Sequence, residues 1–486
     1  MKRYMYGLGI MVGMLGCVVS RSSEEIELAK RTVTIEKLRQ HTEILADDSC
    51  QGRKPFSEGA QRAVNYIAGQ MKEIGLKPFR GNSYLQEVPL VLSVTEVSPE
   101  MCLRTPKQNR ILRRSDDFIA FTARIEPSIE IEEAELVFAG YGIVAPEYGK
   151  NDYAGIENPQ NKIAVVLIND PGLGKGDDSY FKGDVMTYYG RWTYKFEEGA
   201  RQGLKGVLII HESYGAGYPW SVPQNSAKAK LYIDEDQQNY TCALTGWLQA
   251  DVAGTLLEDC GLELEKLKEA AKLPEFHPFS LKSFVSVSLK NKFVKQTSPN
   301  VIGYIEGSGK TDESIVYLAH WDHLGYGTPV DGDSIINGAT DNATAVAWGE
   351  NKDVTITGYG HSTLDESIAE LASAYDRYVL PDPDAHNGMF YRSDHFPFVQ
   401  KGIPAMFAKG WNDNRRHGKE WAKEKIKHYW TEIYHKPTDQ THPETDDYGG
   451  LMQEVKLFFD LGYLWANRED YPQWKPKSEF ARILER

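Results

Sequence analysis

Three short stretches carry residues whose types and spacing suit metal-assisted hydrolysis. The first is Ala319-His320-Trp321-Asp322-His323-Leu324-Gly325, which closes an apolar run, 314–319, that reads as a strand. At the end of an extended strand His320 and Asp322 point to the same side. The C-terminal ends of strands are where open α/β sheets build their sites. A histidine with a carboxylate two positions on suits a metal ligand oriented by an outer group; the bland alternative is a polar loop. The second stretch is Gly338-Ala339-Thr340-Asp341-Asn342-Ala343-Thr344, a turn leading into a small-residue helix over 343–348. Asp341 reads either as a helix N-cap or as a carboxylate bridging two metal ions. The third is Tyr434-His435-Lys436-Pro437-Thr438-Asp439, with His435 in a Pro-containing loop; His442 nearby shows how little a lone histidine proves.

The surrounding chain must position these residues. Residues 33–76 carry two helical patterns, through Leu38, His41, Ile44 and Leu45 and through Ala63, Ile67, Met71 and Ile74, with a loop 47–53 between them and Gly75 as a stop. Residues 84–145 alternate as strands. Residues 146–290 differ in texture. Buried-strand runs at 163–168 and 207–210 and a helix at 194–202 sit among Gly-, Tyr- and Asp-rich loops, as in a separate small domain. From Ser298 the pattern is α/β, with strands at 301–305 and 314–319, a helix within 363–378 and a closing amphipathic helix over 451–465.

A chain of 486 residues exceeds one hydrophobic core, so at least two domains are expected. With 55 Lys plus Arg against 69 Asp plus Glu the net charge is −14, which argues against nucleic acid as a partner. The N-terminus joins Lys2 and Arg3 to an uncharged stretch, 6–16, too short to span a bilayer, followed by Cys17. This resembles a bacterial lipoprotein signal with Cys17 lipidated, so the expected location is the cell envelope and the only membrane contact the lipid anchor. Cys50, Cys102, Cys242 and Cys260 permit two disulfides in an exported chain but equally read as small packed side chains.

Taken in order, HxD, then GxxDN, then YHxPxD resemble the exported di-zinc aminopeptidases of the bacterial leucyl aminopeptidase type. Gln51-Gly52-Arg53 is similar to that family's opening segment. Tyr391-Arg392-Ser393-Asp394-His395, ahead of Gly402-Ile403-Pro404, looks like its late strand-and-loop segment. Residues 136–225, with Ala139-Gly140-Tyr141-Gly142, look like the protease-associated insert of many members. The resemblance runs over about 33–480 and implies a three-layer α/β/α zinc-exopeptidase fold with a mostly parallel central sheet, plus a β-rich insert. It divides the chain into a signal peptide (1–17), a tether (18–32), a discontinuous catalytic domain (33–125 and 291–470), the insert (126–290) and a C-terminal tail (471–486). It implies His320, Asp341 and His435 as ligands of two Zn2+ ions bridged by Asp341, Asp322 orienting His320, Tyr391 to His395 as site neighbours, and peptides as substrates, cleaved at the N-terminal residue.

The family also uses a Glu-Glu pair, the general base and a zinc ligand, and a further Asp ligand. Here 343–347 runs straight into Trp348-Gly349-Glu350-Asn351-Lys352-Asp353, a junction that skips all three. Each zinc keeps Asp341 and one His. Outer-group changes alone cost about 10- to 100-fold in affinity, and loss of a base about 10²–10⁴-fold in rate. The sheet is expected to be incomplete, with open edges and exposed apolar faces. Glu350, Asp353, Asp365, Glu366, Glu370, Asp394 and His395 are the acidic or basic residues left to substitute. The alternative reading is a catalytically dead, peptide-binding lipoprotein.

Overall fold

The computed structural model describes residues 24–176, 180–226, 229–234, 240–343 and 348–481. The signal stretch, Cys17, and residues 344–347 of the small-residue helix with one side of the junction lie outside the described residues. The protein is mixed α/β and divides into two compact units. One comprises 1–86, 301–382 and 397–486; the other comprises 87–300 and 383–396. The boundaries therefore fall near 86 and 300 rather than at 125 and 290. The reason is hydrogen bonding. Strand Leu85–Val97 pairs with Ala229–Ile233, and Phe279–Val301 pairs with Ser128–Phe138, so both long strands lie in one sheet with the segment read as an insert.

The 87–300 unit is built on a ten-stranded mixed sheet. Its centre is parallel: Ser128–Phe138, Lys162–Leu167, Gly206–His211 and Leu244–Gln249 run side by side. Residues 163–167 and 206–211 are buried throughout, as strands covered on both faces must be. Trp192–Arg201 and Ala250–Asp259 are its longest helices. All four described cysteines are free, and Cys102 is exposed.

The other unit carries the three chemical stretches. Helices Ile35–Leu45 and Glu58–Glu73 match the two predicted patterns, capped by Thr34 and Ser57. Its largest sheet has three strands: Asp353–Thr357 pairs parallel with Tyr378–Pro381 and antiparallel with Phe407–Lys409. Val354, Ile356 and Ala408 pack against Ile368 and Ala372 of helix Leu364–Ala374 and Leu457 and Leu461 of helix Gly449–Ala466. The mostly parallel central sheet expected here is thus not found among the described residues; the long parallel run belongs to the other unit.

One further expectation is corrected. Residues 314–319 form no strand, because no described strand pairs with them and an isolated strand has no ladder to hold it. In the C-terminal stretch 471–481, Trp474 Nε1 donates to the Gly402 carbonyl at 2.9 Å and Phe480 is buried beside His361. Among the described residues no helix is long and apolar enough to cross a membrane.

Candidate metal centre

The loop after the first helix organises this centre. Gln51 and Gly52 both have positive φ, and a Cβ on Gly52 would lie 2.5 Å from the carbonyl oxygens of Gly325 and Ile336, so only glycine fits. That approach buries the Arg53 side chain. Its Nε donates to the Trp321 carbonyl at 2.8 Å, Nη1 to Asn337 at 2.6 Å and Nη2 to Gly338 at 2.9 Å; Nη1 also donates to Leu45. The Arg53 carbonyl accepts the His323 amide. One guanidinium thus fixes both the His320 loop and the Asp341 loop. Gly338 turns the second loop at φ +62°, where a Cβ would meet the Asp341 carbonyl at 2.2 Å. Asp439 clamps it from the far side: its carboxylate accepts the amides of Thr340 at 2.8 Å and Asp341 at 3.1 Å.

At the centre stands the Asp341 carboxylate. His320 Nε2 lies 3.3 Å from one oxygen and His435 Nε2 3.1 Å from the other. His323 Nδ1 stands 3.9 Å from the oxygen that faces His435. Burial pushes the Asp341 carboxyl up, but His320 and His435 outweigh it and hold it well below the usual carboxylate range. Burial drives His323 down to about 4, against the pull of Asp341. Tyr434 stacks on His435 at 3.7 Å, and Trp430 and Trp411 continue the aromatic wall from Tyr434.

The tautomer of His320 bears on metal binding. Its Nδ1 lies 2.9 Å from the Asp322 backbone oxygen, which can only accept, so Nδ1 carries the proton. In a neutral ring Nε2 is then a bare lone pair facing a carboxylate oxygen, a contact that needs a cation or a second proton between the two atoms. Separations of 3.1 and 3.3 Å are those of two ligands on one tetrahedral zinc with bonds of about 2.0–2.1 Å. The residues therefore fit a divalent cation on either carboxylate oxygen, with two side chains for each. Among the described residues no group of three or more His, Cys, Asp and Glu is arranged to hold a metal ion.

The structure brings together His320, Asp341 and His435. It corrects the role of Asp322: the carboxylate is 3.9 Å from His320 Nδ1, and the backbone carbonyl makes the orienting contact, because the chain there is not the extended strand that would align the side chains. Tyr391, Arg392, Ser393, Asp394 and His395 belong to the other unit, where the Tyr391 hydroxyl donates to the Met186 carbonyl and His395 packs on Phe390. Four of the acids named as possible substitutes have partners of their own. Glu350 pairs with Arg415; Asp353 accepts the amides of Asn412 and Asp413; Asp365 and Glu366 hold Lys475. Sequence reasoning gave no role to Arg53, His323 or Asp439, although each stands inside a stretch it singled out.

The model of peptidase family M28 matches the chain in two segments, residues 300–348 and 347–455, about a third of its length. The two segments meet at 347–348. No curated protein matches the chain.

Proposed function

We propose that residues 301–455 hold a metallo-exopeptidase centre of the aminopeptidase type, reduced to its metal-binding core. The similarity to peptidase family M28 supports peptide hydrolysis as the reaction class. The observation that carries the reading is the Asp341 carboxylate with one imidazole nitrogen on each oxygen. In this reading His320 and Asp341 would hold one Zn2+, and Asp341 and His435 the other. Zinc so held supplies Lewis acidity toward a carbonyl and lowers the pKa of water. The chain itself supplies the rest: Asp341 offers negative charge to a peptide's amino end, His320 is kept in its ligating tautomer by the Asp322 carbonyl, and Arg53 and Asp439 hold the two loops in register.

What the centre lacks is a general base. Two observations support a lost segment: the matched segments abut at 347–348, and the run 314–319 has no strand beside it among the described residues. Hydrolysis at the retained core is accordingly slow, lower by about 10²–10⁴-fold for the absent base alone. A second reading, a peptide-binding protein without turnover, is favoured by the engagement of Glu350, Asp353, Asp365 and Glu366 away from Asp341. An exported, lipid-anchored chain suits either reading.

The test is release of 4-nitroaniline from leucine 4-nitroanilide, with and without added Zn2+, by the native chain and Asp341→Asn. Slow zinc-dependent release by the native chain alone supports the enzyme. Release equal to the variant's, with zinc still bound, supports the binder. Equal zinc content in both chains sinks the metal centre.

A further inference from the structure

Arg191 stands directly before helix Trp192–Arg201, as its N-cap, and is only 5% exposed. Gly388 makes room for it: a Cβ there would meet Arg191 Cδ at 3.2 Å. Among the described residues its guanidinium makes no ion pair and no hydrogen bond, and its Nε is buried. Arg53, buried as deeply, donates to four carbonyls. Buried charges are ordinarily paired, because an uncompensated charge is expensive to take out of water. The positive end of the helix that follows adds to the imbalance. Burial, and then the nearby charge of Arg392, pull the Arg191 guanidinium down to about 10.

The groups around it are donors. Arg392 Cζ lies 5.6 Å from the centre of the Tyr218 ring, and Tyr218 feels the charge of both arginines. The Trp247 indole N–H stands beside the Tyr218 hydroxyl, and both atoms are buried with no partner at hydrogen-bond distance. So is Nε2 of His211, whose ring centre is 5.6 Å from that of Tyr218. The acids nearby are engaged: Glu197 accepts from the Tyr188 hydroxyl at 2.5 Å and Asp170 from the Thr187 hydroxyl at 2.7 Å. Two guanidiniums, a phenol and an indole N–H thus gather with no carboxylate paired to Arg191 among the described residues. All of them belong to the unit of 87–300 and 383–396.

We propose that Arg191, Arg392, Tyr218 and Trp247 form a binding site for a carboxylate carried on an apolar skeleton, either a small organic acid or the C-terminus of a peptide. A planar carboxylate takes two parallel N–H bonds from one guanidinium, here that of Arg191. The Tyr218 hydroxyl and the Trp247 N–H add donors. Arg392 is exposed and supplies positive charge on the solvent side, which draws an anion in. The Trp192 ring lies 5.7 Å from Arg191 Cζ and 5.5 Å from the Trp247 ring, an apolar wall for the skeleton. A bare inorganic oxyanion makes no use of that wall. The site stands on Arg191 and its neighbours and does not depend on the hydrolytic reading of the metal centre.

The experiment is isothermal titration calorimetry of the full chain, in buffer free of carboxylates, with benzoate, hippurate, benzamide and inorganic sulfate. Benzoate stands for a small acid and hippurate for an acylated C-terminal residue; the tighter of the two shows which source the site serves. Saturable binding of at least one is expected, with a dissociation constant of about 1 mM or tighter. Benzamide should not bind, and sulfate should bind roughly tenfold more weakly or worse. Arg191→Met and the exposed Arg392→Gln should each weaken the carboxylate, Arg191→Met by roughly tenfold or more. Arg191→Met gives up no hydrogen bond of the guanidinium, so without ligand its thermal midpoint should equal or exceed the native one. No saturable binding of either acid, benzamide or sulfate binding as tightly, unchanged affinity in both variants, or a lowered midpoint for ligand-free Arg191→Met would each overturn the proposal.

Discussion

Arg53 shows how a residue outside the chemistry can decide whether the centre exists. Its guanidinium is buried and donates to the carbonyls of Leu45, Trp321, Asn337 and Gly338. Replacing it by Ala strands those acceptors, at about 1–3 kcal/mol for each buried group left unpaired. We expect Arg53→Ala to lose about 3 kcal/mol or more in urea denaturation, with zinc affinity falling in the same variant. Gly338→Ala should be comparably damaging, since its Cβ would meet the Asp341 carbonyl at 2.2 Å and a positive φ adds strain. Asp439→Asn tests positioning more finely. The amide keeps one acceptor for two amide donors, so stability should drop by about 1 kcal/mol while zinc affinity falls further as the 338–341 loop loosens. Equal zinc affinity in native and Asp439→Asn chains would remove Asp439 from the account. His320, Asp341 and His435 could be singled out in the sequence by residue type and spacing, and the fold brings the three together. Arg53 and Asp439 could not, because an arginine or aspartate that holds backbone looks like any other until the fold brings distant carbonyls and amides to it.

At the scale of elements, periodicity was a good guide where a helix has a face to bury. Ile35–Leu45, Glu58–Glu73, Leu364–Ala374 and Gly449–Ala466 all fall on predicted patterns. It failed at 314–319, where an apolar run that reads as a strand has no ladder partner, since strand formation is a property of pairs. The segment 383–396 was read as part of the catalytic domain and belongs to the 87–300 unit. There burial of His395 pushes its imidazole down to about 4. The unfolded chain takes up this proton near pH 6.5 and the folded chain only near 4. Stability contributed by the neutral ring is therefore full above pH 6.5 and falls as pH drops, by about 3 kcal/mol at most near pH 4. The thermal midpoint of His395→Gln should accordingly fall less than that of the native chain between pH 7 and 4.5. Parallel curves would mean that other groups carry the acid sensitivity.

For the whole molecule, length and charge bounded the number of units and the kind of partner but not how the chain is divided. At least two domains were expected from 486 residues, and the chain divides into two compact units whose boundaries follow strand pairing that spacing alone could not assign. Length alone could not show that the unit holding Asp341 has a largest sheet of three strands among the described residues, while the other has ten. A centre with two side chains per cation should bind zinc weakly, so added zinc should raise the thermal midpoint only when well above its dissociation constant; a hundredfold excess corresponds to about 2.7 kcal/mol. The central claim is that Asp341 is the carboxylate shared by whatever cations this centre holds. Equilibrium dialysis of the native chain and Asp341→Asn against micromolar zinc tests it most directly. The account predicts saturable zinc binding by the native chain and its loss in the variant, with the fold of both verified by circular dichroism. Undiminished zinc binding by a folded Asp341→Asn chain would contradict it.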